Sequence, residues 1–122
     1  MTFTPENAIV WFELPVSDLE GATGFYESVL QTKLIDENMG AGPVKIFPTQ
    51  DEAGAGGNLF ESDAKPSTAT VIHFASPGKL EDTLARVKSS GGDVMSDIVE
   101  LPAGRFAYCL DPDGNSIGVF SR

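Results

Sequence analysis

The chain has 122 residues, of which 18 are acidic and 8 are basic, and its formal net charge at pH 7 is −10. A chain of this length folds as one domain and buries enough apolar surface to be stable without disulfides or a structural metal. The negative charge repels phosphate groups, so nucleic acid and anionic membrane surfaces are not expected partners. The acids are scattered along the chain, which indicates a solvated surface.

Residues 1–7 lack the basic and apolar regions of a secretory signal, and no stretch of the sequence has the length of a membrane span. Cys109 is the single cysteine and lies in an apolar stretch. A cysteine without a partner is typical of a reducing compartment and of a packing role. We therefore expect a cytoplasmic location. Catalysis by Cys109 is the alternative, although no histidine lies near it in sequence.

The first strand predicted by the sequence runs through residues 9–14. Alternation along a strand places Ile9, Trp11 and Glu13 on one face and the even-numbered residues on the other. The even face is wholly apolar and is expected to pack on a helix. The odd face carries a carboxylate, which needs solvent, a partner or a ligand because an isolated buried charge is too costly. We therefore look for the functional site on the face of Trp11 and Glu13.

A helix is predicted directly after this strand. Ser17 and Glu20 have the spacing of a capping box, in which two side chains satisfy two backbone N–H groups at the helix start. Apolar residues at helical spacing then predict a buried stripe. The predicted stripe comprises Leu19, Ala22, Phe25, Tyr26, Val29 and Leu30.

Three short strands complete the first half, at about residues 33–35, 44–47 and 57–60. The loop over residues 48–57 is interpreted either as a lid over a pocket or as an ordinary hairpin connection. Residues 61–68 are predicted to form a polar linker.

The same plan is predicted again in the second half. A strand over residues 69–75 leads through Ser76 and Pro77 into a second helix, with proline at the first helical position, and Gly91-Gly92 marks the exit. The buried stripe of that helix comprises Leu80, Leu84 and Val87. Extended segments follow at about residues 94–101, 106–110 and 116–120, with a turn over residues 111–115.

The sequence resembles the vicinal oxygen chelate superfamily of glyoxalases, bleomycin-resistance proteins and extradiol dioxygenases. The motifs that carry the resemblance are Asp18-Leu19, Phe25-Tyr26, Leu30, Gly91-Gly92 and the turn Asp111-Pro112-Asp113-Gly114-Asn115. The stretches 11–16 and 113–118 resemble a glyoxalase-related branch more narrowly. The resemblance implies an α+β fold of two tandem βαβββ units, about residues 8–60 and 69–121, within a single domain over 1–122. It also implies curled mixed sheets around a cavity, and a homodimer.

Metal-dependent members of this superfamily bind a divalent ion through His or Glu side chains on the first and last strand of each unit. By position, these ligands fall on Trp11, on His73, on Gly118 and within residues 57–60, where Asn58 has the only polar side chain. His73 is the only matching ligand position, and a catalytic metal needs about three protein ligands. The resemblance therefore implies no metal cofactor. The remaining alternative is a rearranged site built on Glu13, His73 and water.

The candidate site residues each have two interpretations. Glu13 is a general base or ligand anchor, or else a hydrogen-bonded structural carboxylate. His73 is its acid–base partner, or else a residual histidine. Trp11 stacks on a flat ligand, or else fills the former metal cavity. Arg105 and Tyr108 have opposite parity on one strand, so at most one of them faces the cavity, and a surface role is favoured for Arg105.

The leading hypothesis is a metal-free protein that binds a small organic molecule in a cavity lined by Trp11, Glu13, His73, Ser116 and Gly118. The alternative is a lyase or isomerase that uses Glu13 and His73 for acid–base chemistry, with or without a divalent metal. A third hypothesis is a dimeric scaffold whose cavity is filled by Trp11.

Overall fold

The computed structural model describes residues 2–40, 42–50, 55–63 and 70–122, and within these ranges the chain forms two helices and nine strands. The helices are α1 (Leu19–Leu30) and α2 (Leu80–Ser89). The strands are β1 (Ile9–Val16), β2 (Ile35–Asn38), β3 (Pro43–Phe47), β4 (Gly56–Glu61), β5 (Val71–Ala75), β6 (Asp93–Val94), β7 (Val99–Leu101), β8 (Gly104–Leu110) and β9 (Ser116–Ser121). The predicted α+β class is confirmed. The chain divides into two compact units, one of residues 11–70 and the other of residues 1–10 and 71–122.

In the unit of residues 11–70 the strands follow the order β2-β3-β4-β1, and β1 runs parallel to β4 while the other neighbours are antiparallel. One face of this sheet packs on α1. Leu19, Leu34 and Leu59 are the buried centre of that core, and Leu14 and Val16 of β1 pack against it. The even face of β1 therefore lies on the helix, as predicted. Trp11 and Glu13 lie on the opposite face of the sheet, which is called the open face here because α1 does not pack on it.

The predicted capping box at the start of α1 is wrong. The N-cap residue is Asp18, and no side chain caps the helix with a hydrogen bond. Because the helix begins at Leu19, Glu20 lies one position too early to reach back to the N-cap backbone, and the position that a capping box requires is Gly21. A Cβ atom at Gly21 would lie 2.6 Å from the Asp18 carboxylate, so the acidic side chain lies directly over this glycine.

The predicted buried stripe of α1 is correct for its first turns and wrong for its end. Leu19 is buried, and Ala22 and Tyr26 pack against the core. The outer positions are the largely exposed side chains Phe25, Val29 and Leu30, with exposed fractions of 59%, 59% and 53%. The buried stripe continues from Leu19 through Tyr26 at helical spacing. Phe25, and Val29 and Leu30 one turn later, therefore lie outside this buried stripe.

The second strand lies later in the chain than predicted. Leu34 is buried, and its N–H donates to the Glu27 carboxylate at 2.8 Å, so this residue belongs to the connection from α1. Pairing with β3 begins at Ile35, opposite Ile46. The predicted strands at 44–47 and 57–60 are confirmed to within one residue. Residues 51–54 of the predicted loop and 64–69 of the predicted linker and strand start lie outside the described part of the chain.

In the other unit the strand order is β5-β9-β8-β6, with β7 also paired to β8. β5 and β9 are parallel, and β8 is antiparallel to its neighbours. The predicted stripe of α2 is confirmed, since Leu80, Leu84 and Val87 pack with Val119 and Cys109. Cys109 is 1% exposed, in agreement with the predicted packing role.

The predicted strand over residues 94–101 is two strands. β6 pairs with the end of β8 and β7 with its beginning. Between them the Met95 N–H donates to the Tyr108 carbonyl at 2.8 Å, and the Tyr108 N–H donates to the Ser96 hydroxyl at 2.9 Å. Backbone pairing is thus replaced by a side-chain contact at this point of the ladder.

The predicted entrance of α2 is wrong and its predicted exit is confirmed. The helix begins at Leu80 with Lys79 as N-cap, so Pro77 precedes it by three residues. The carbonyl of Pro77 instead accepts a hydrogen bond from the Thr83 hydroxyl at 3.2 Å. Gly91 follows the helix with φ of 99°, a left-handed conformation that favours glycine.

The turn over residues 111–115 is organised by one carboxylate. Asp111 accepts hydrogen bonds from the N–H groups of Asp113 and Asn115 and from the Asn115 side chain. These bonds lower the pKa of Asp111, with the Asn115 side chain as the main cause. Gly114 has φ of 87°. The structural role predicted for this turn is confirmed. Neither helix in the described part of the chain is long and apolar enough to cross a membrane.

Candidate functional site

The indole of Trp11 lies over a glycine on the neighbouring strand. In the parallel ladder of β1 and β4, Trp11 stands directly opposite Gly56. A Cβ atom at Gly56 would approach the indole ring to 3.1 Å, which is tighter than ordinary contact. Glycine at this position therefore leaves room for the ring to lie across β4.

The same indole is fixed by a hydrogen bond. Its Nε1–H donates to Oδ1 of Asn58 at 2.7 Å. Asn58 is 2% exposed, and its amide nitrogen donates to the Leu59 carbonyl at 3.3 Å. Both ends of the amide are therefore engaged, and the indole N–H has its acceptor. Two residues of β4 therefore fix the orientation of the indole ring: Gly56, on which the ring lies, and Asn58, which accepts its hydrogen bond.

Glu13 shares the open face with this indole. It stands opposite Asn58 in the ladder of β1 and β4 and is partly buried. In the next strand, Ile46 lies opposite Asn58 and Val44 opposite Phe60. The open face around Glu13 is thus apolar and aromatic, with one acidic group beside the indole. This arrangement agrees with the parity predicted from the sequence.

In the other unit, His73 also lies over a glycine. It stands opposite Gly118 in the parallel ladder of β5 and β9 and is 2% exposed. A Cβ atom at Gly118 would overlap the imidazole ring. The space that a side chain at 118 would need is therefore filled by His73, and the position that the resemblance assigns to a metal-binding glutamate has no room for one.

The surroundings of His73 are aromatic. The ring centroid of Phe106 lies 4.9 Å from that of the imidazole in an edge-on arrangement, and the ring of Tyr108 lies at 5.6 Å. Phe106 and Tyr108 also contact each other edge-on at 5.1 Å. Tyr108 is therefore the residue of the Arg105–Tyr108 pair that shares a face with His73. Ser116 has the same parity as Gly118 on β9 and is partly buried.

Arg105 points to the helix side of β8, as the parity argument allowed. Its guanidinium binds the Glu81 carboxylate of α2 at 2.6 Å and Glu100 of β7 at 3.2 Å. The hydrogen bond from Arg105 lowers the pKa of Glu81 to about 2, and the same pair raises the pKa of Arg105. All three side chains are at least partly exposed, so this is a surface network. The surface role favoured for Arg105 agrees with its position.

Gly56 was not among the site residues predicted from the sequence. Within its own unit Gly56 pairs with Trp11, just as Gly118 pairs with His73. The position equivalent to Gly118 in the first half is therefore Gly56, one residue before the expected window of 57–60. A pattern shared by the two units could have indicated it: each unit has an aromatic or imidazole ring on its first strand and a glycine on its last strand. Its register could not be read from the sequence, because the loop between the strands has no fixed length.

The residues at the expected ligand positions do not fit a divalent ion. Trp11 has no metal-binding atom, Asn58 is engaged by the indole, and Gly56 and Gly118 lack side chains. His73 is the one expected ligand position with a metal-binding side chain, and one ligand does not hold a catalytic ion. Within the described residues, no three His, Cys, Asp or Glu side chains are grouped closely enough to hold a metal ion. Glu13 and His73 belong to different units, so their acid–base pairing stays a prediction.

Comparison with known proteins identifies the class to which this fold belongs. The fold is that of the glyoxalase-like α+β proteins. A hypothetical protein from Bacillus halodurans C-125 has a TM-score of 0.71 at 16% identity, covering 96% of this chain and 95% of that chain. Methylmalonyl-CoA epimerase from Mycobacterium tuberculosis has a TM-score of 0.68 at 15% identity, covering 99% and 92%. At these identities the similarity establishes the fold alone.

The family follows from the sequence match. The Glyoxalase/Bleomycin resistance protein/Dioxygenase superfamily matches residues 8–119, and the chain belongs to this superfamily. The resemblance found in the sequence is thereby confirmed. The anthracycline biosynthesis protein DauV of Streptomyces sp. (strain C5) is 26% identical over 113 residues, which is 93% of this chain. The chain spans 41% of the length of that relative.

Proposed function

We propose that this protein binds a small organic molecule on the open face of the β1–β4 sheet, against Trp11, and that it does so without a divalent metal. The observation that carries the proposal is the fixed indole. Trp11 lies on Gly56 and donates to Asn58 at 2.7 Å, so its ring is held in one orientation at the edge of an apolar face. An aromatic plate that is ordered before binding loses little conformational entropy when a ligand stacks on it.

The metal-free part of the proposal rests on the chemistry of the side chains. Where the resemblance expects imidazole and carboxylate ligands, the chain has an indole, an amide that is already hydrogen-bonded and two glycines covered by rings, and His73 is the only side chain of the expected kind. A divalent ion at a catalytic site takes about three protein ligands. Substrate binding by this chain is therefore proposed to depend on stacking and hydrogen bonding.

The proposed ligand is a flat, largely apolar molecule with a polar group near one edge. The indole offers the stacking surface, Ile46 adds an apolar side chain on the same face, and Glu13 provides the acidic hydrogen-bond acceptor. DauV, whose name places it in anthracycline biosynthesis, is a relative that supports an aromatic ligand class.

The single tryptophan allows a direct test. Trp11 gives one indole N–H signal in a nitrogen-15 correlation spectrum, because the chain contains one tryptophan. Naphthalene, quinoline and anthraquinone derivatives are titrated into labelled protein with and without EDTA. We expect a saturable shift of the indole signal for at least one series, unchanged by EDTA. Stoichiometric, tight binding of Ni, Zn, Mn or Fe, or an indole signal that no compound moves, would contradict the proposal.

A matched pair of variants separates stacking from general loss of stability. Trp11→Leu removes the plate from the open face, whereas Phe25→Leu changes an aromatic residue that is 59% exposed on α1. Calorimetry is expected to show weaker binding for the first variant and unchanged binding for the second. Turnover of a bound carbonyl compound that is lost in Glu13→Gln and insensitive to EDTA would contradict a pure binding role and support the acid–base hypothesis.

The homodimer implied by the resemblance is part of the proposal. Phe25, Val29 and Leu30 are large apolar side chains of α1 that are each more than half exposed. Exposed apolar patches of this kind are typical of protein interfaces. Sedimentation velocity is expected to give a dimer at micromolar concentration, and a monomer at all concentrations would contradict this part.

A further inference from the structure

We infer that Thr49 is a further ligand-contacting residue of the Trp11 site, and that its methyl group extends the stacking surface toward longer ring systems. This inference rests on the proposed function, since it concerns the same face of the sheet and the same ligand. Thr49 was not among the site residues predicted from the sequence. Its position follows from the packing around Gly56, on which the indole lies.

Two side chains share the space above Gly56. The atoms nearest to a Cβ atom at Gly56 would be Cζ3 and Cε3 of Trp11, at 3.1 and 3.5 Å, and the methyl carbon Cγ2 of Thr49, at 3.7 Å. Gly56 has no side chain of its own and is nevertheless buried. The six-membered ring of the indole and the Thr49 methyl group therefore meet over one point of β4, on the open face.

Strand alternation alone would place Thr49 on the helix side of the sheet. Ile46 of β3 stands opposite Asn58 and so lies on the open face, and two-residue periodicity would put Pro48 on that face and Thr49 on the other. β3 ends at Phe47, because Pro48 has no backbone N–H with which to continue the ladder. The chain leaves the strand geometry at Pro48, and the Thr49 methyl group reaches the open face.

The methyl group gives the stacking surface a direction. Nε1, which donates to Asn58, and Cζ3, which lies toward Thr49, are at opposite ends of the indole. The long axis of the surface therefore runs from Asn58 to Thr49. Thr49 is exposed and Trp11 is only partly buried, so both side chains have surface to offer a ligand. A ring system that extends beyond the six-membered ring of the indole buries the methyl group, which contributes to affinity as a buried methylene does.

The test compares two compounds that differ by one ring. Quinoline has two fused rings, and benzo[g]quinoline adds a third in line with them while keeping the nitrogen in the same position. Both are uncharged at pH 7. Dissociation constants are measured on the full chain from the shift of the Trp11 indole signal, which also reports where each compound binds. We expect the three-ring compound to bind the wild type more tightly than the two-ring compound.

A matched pair of variants assigns the difference to one methyl group. Thr49→Ser removes the methyl group and keeps the hydroxyl, so the hydrogen-bonding capacity of the side chain is preserved. It is expected to weaken binding of benzo[g]quinoline about fourfold and to leave quinoline unchanged, which also shows that the variant is folded. Thr32→Ser makes the same change after α1, where the Thr32 N–H bonds to the Glu27 carbonyl, and is expected to change neither affinity.

The outcomes distinguish the role of Thr49 from the proposed function. If both compounds move the indole signal and Thr49→Ser weakens both equally or neither, Thr49 does not extend the surface and the binding site on Trp11 stands. Tighter binding of benzo[g]quinoline by Thr49→Ser, or its failure to bind the wild type where quinoline binds, would mean that the methyl group obstructs the ligand and would overturn the inference. If neither compound, nor the panel above, moves the indole signal, the proposed function itself is wrong.

Discussion

The indole N–H of Trp11 donates a 2.7 Å hydrogen bond to the side chain of Asn58, which is buried in the adjacent strand. Trp11 occupies a position where the resemblance implies a metal ligand, and Asn58 lies two residues after Gly56, the position equivalent to Gly118. Through this hydrogen bond, the polar side chain of Asn58 holds the indole ring of Trp11 in place.

Replacing Asn58 by alanine tests this support. Asn58→Ala leaves the indole N–H without its acceptor and is expected to cost about 1–3 kcal/mol in the free energy of unfolding. Urea unfolding measures the loss, and the indole proton signal is expected to move toward the value of a weakly hydrogen-bonded N–H. Unchanged stability together with an unchanged indole signal would mean that the hydrogen bond does not hold Trp11.

Adding one methyl group at Gly118 tests the packing of His73. Gly118→Ala puts a Cβ atom where the imidazole lies, so either the ring or the strand must move. We expect a loss of about 1–3 kcal/mol in the free energy of unfolding, as for other overpacked sites.

The control is the same change at Gly24, a helical position whose added Cβ would have nothing within 4 Å. Gly24→Ala is expected to stabilise the protein by about 0.5–1 kcal/mol, because alanine loses less backbone entropy in a helix. Equal effects at the two positions would contradict the ring-over-glycine packing.

The Glu81–Arg105 pair predicts a pH dependence with a definite sign. The pKa of Glu81 lies at about 2 in the folded protein, below its ordinary value of 4.5, with the Arg105 hydrogen bond as the main cause. The resulting stabilisation is present above pH 4.5 and is lost as the pH falls toward 2. Glu81→Gln is therefore expected to be less stable than the wild type at pH 6, with a difference that shrinks below pH 4.5.

Urea unfolding of both proteins from pH 7 to 2 measures this difference, and high salt is expected to reduce it because the pair is exposed. A difference that grows as the pH falls would contradict the assignment.

Parity and periodicity predicted much of this molecule. The alternation from Ile9 to Leu14 assigned both faces of β1 correctly, because one face must pack on a helix. The helical spacing of Leu80, Leu84 and Val87 identified the buried side of α2 for the same reason. In α1, by contrast, apolar residues occur on more than one side, and composition could not tell that Phe25 and Val29 are exposed.

The details that depend on pairing between distant strands could not be predicted. Gly56 is opposite Trp11 only because β4 adopts one register out of several, and a shift of one residue would turn every side chain to the other face. The hydrogen bond to Asn58 depends on the same register. The face of each candidate residue was thus predictable, and the neighbours that define its chemistry were not.

Trp11 is proposed as the surface on which an organic ligand binds without metal. Calorimetry of 2-naphthylmethylamine with EDTA-treated wild type and Trp11→Ala, whose folding is checked by urea unfolding, tests this proposal. We expect saturable binding to the wild type in EDTA and affinity at least about tenfold weaker in the variant, because an aromatic stacking partner is lost. Equal affinity in the two proteins, or wild-type binding that appears only when a divalent metal is restored, would contradict it.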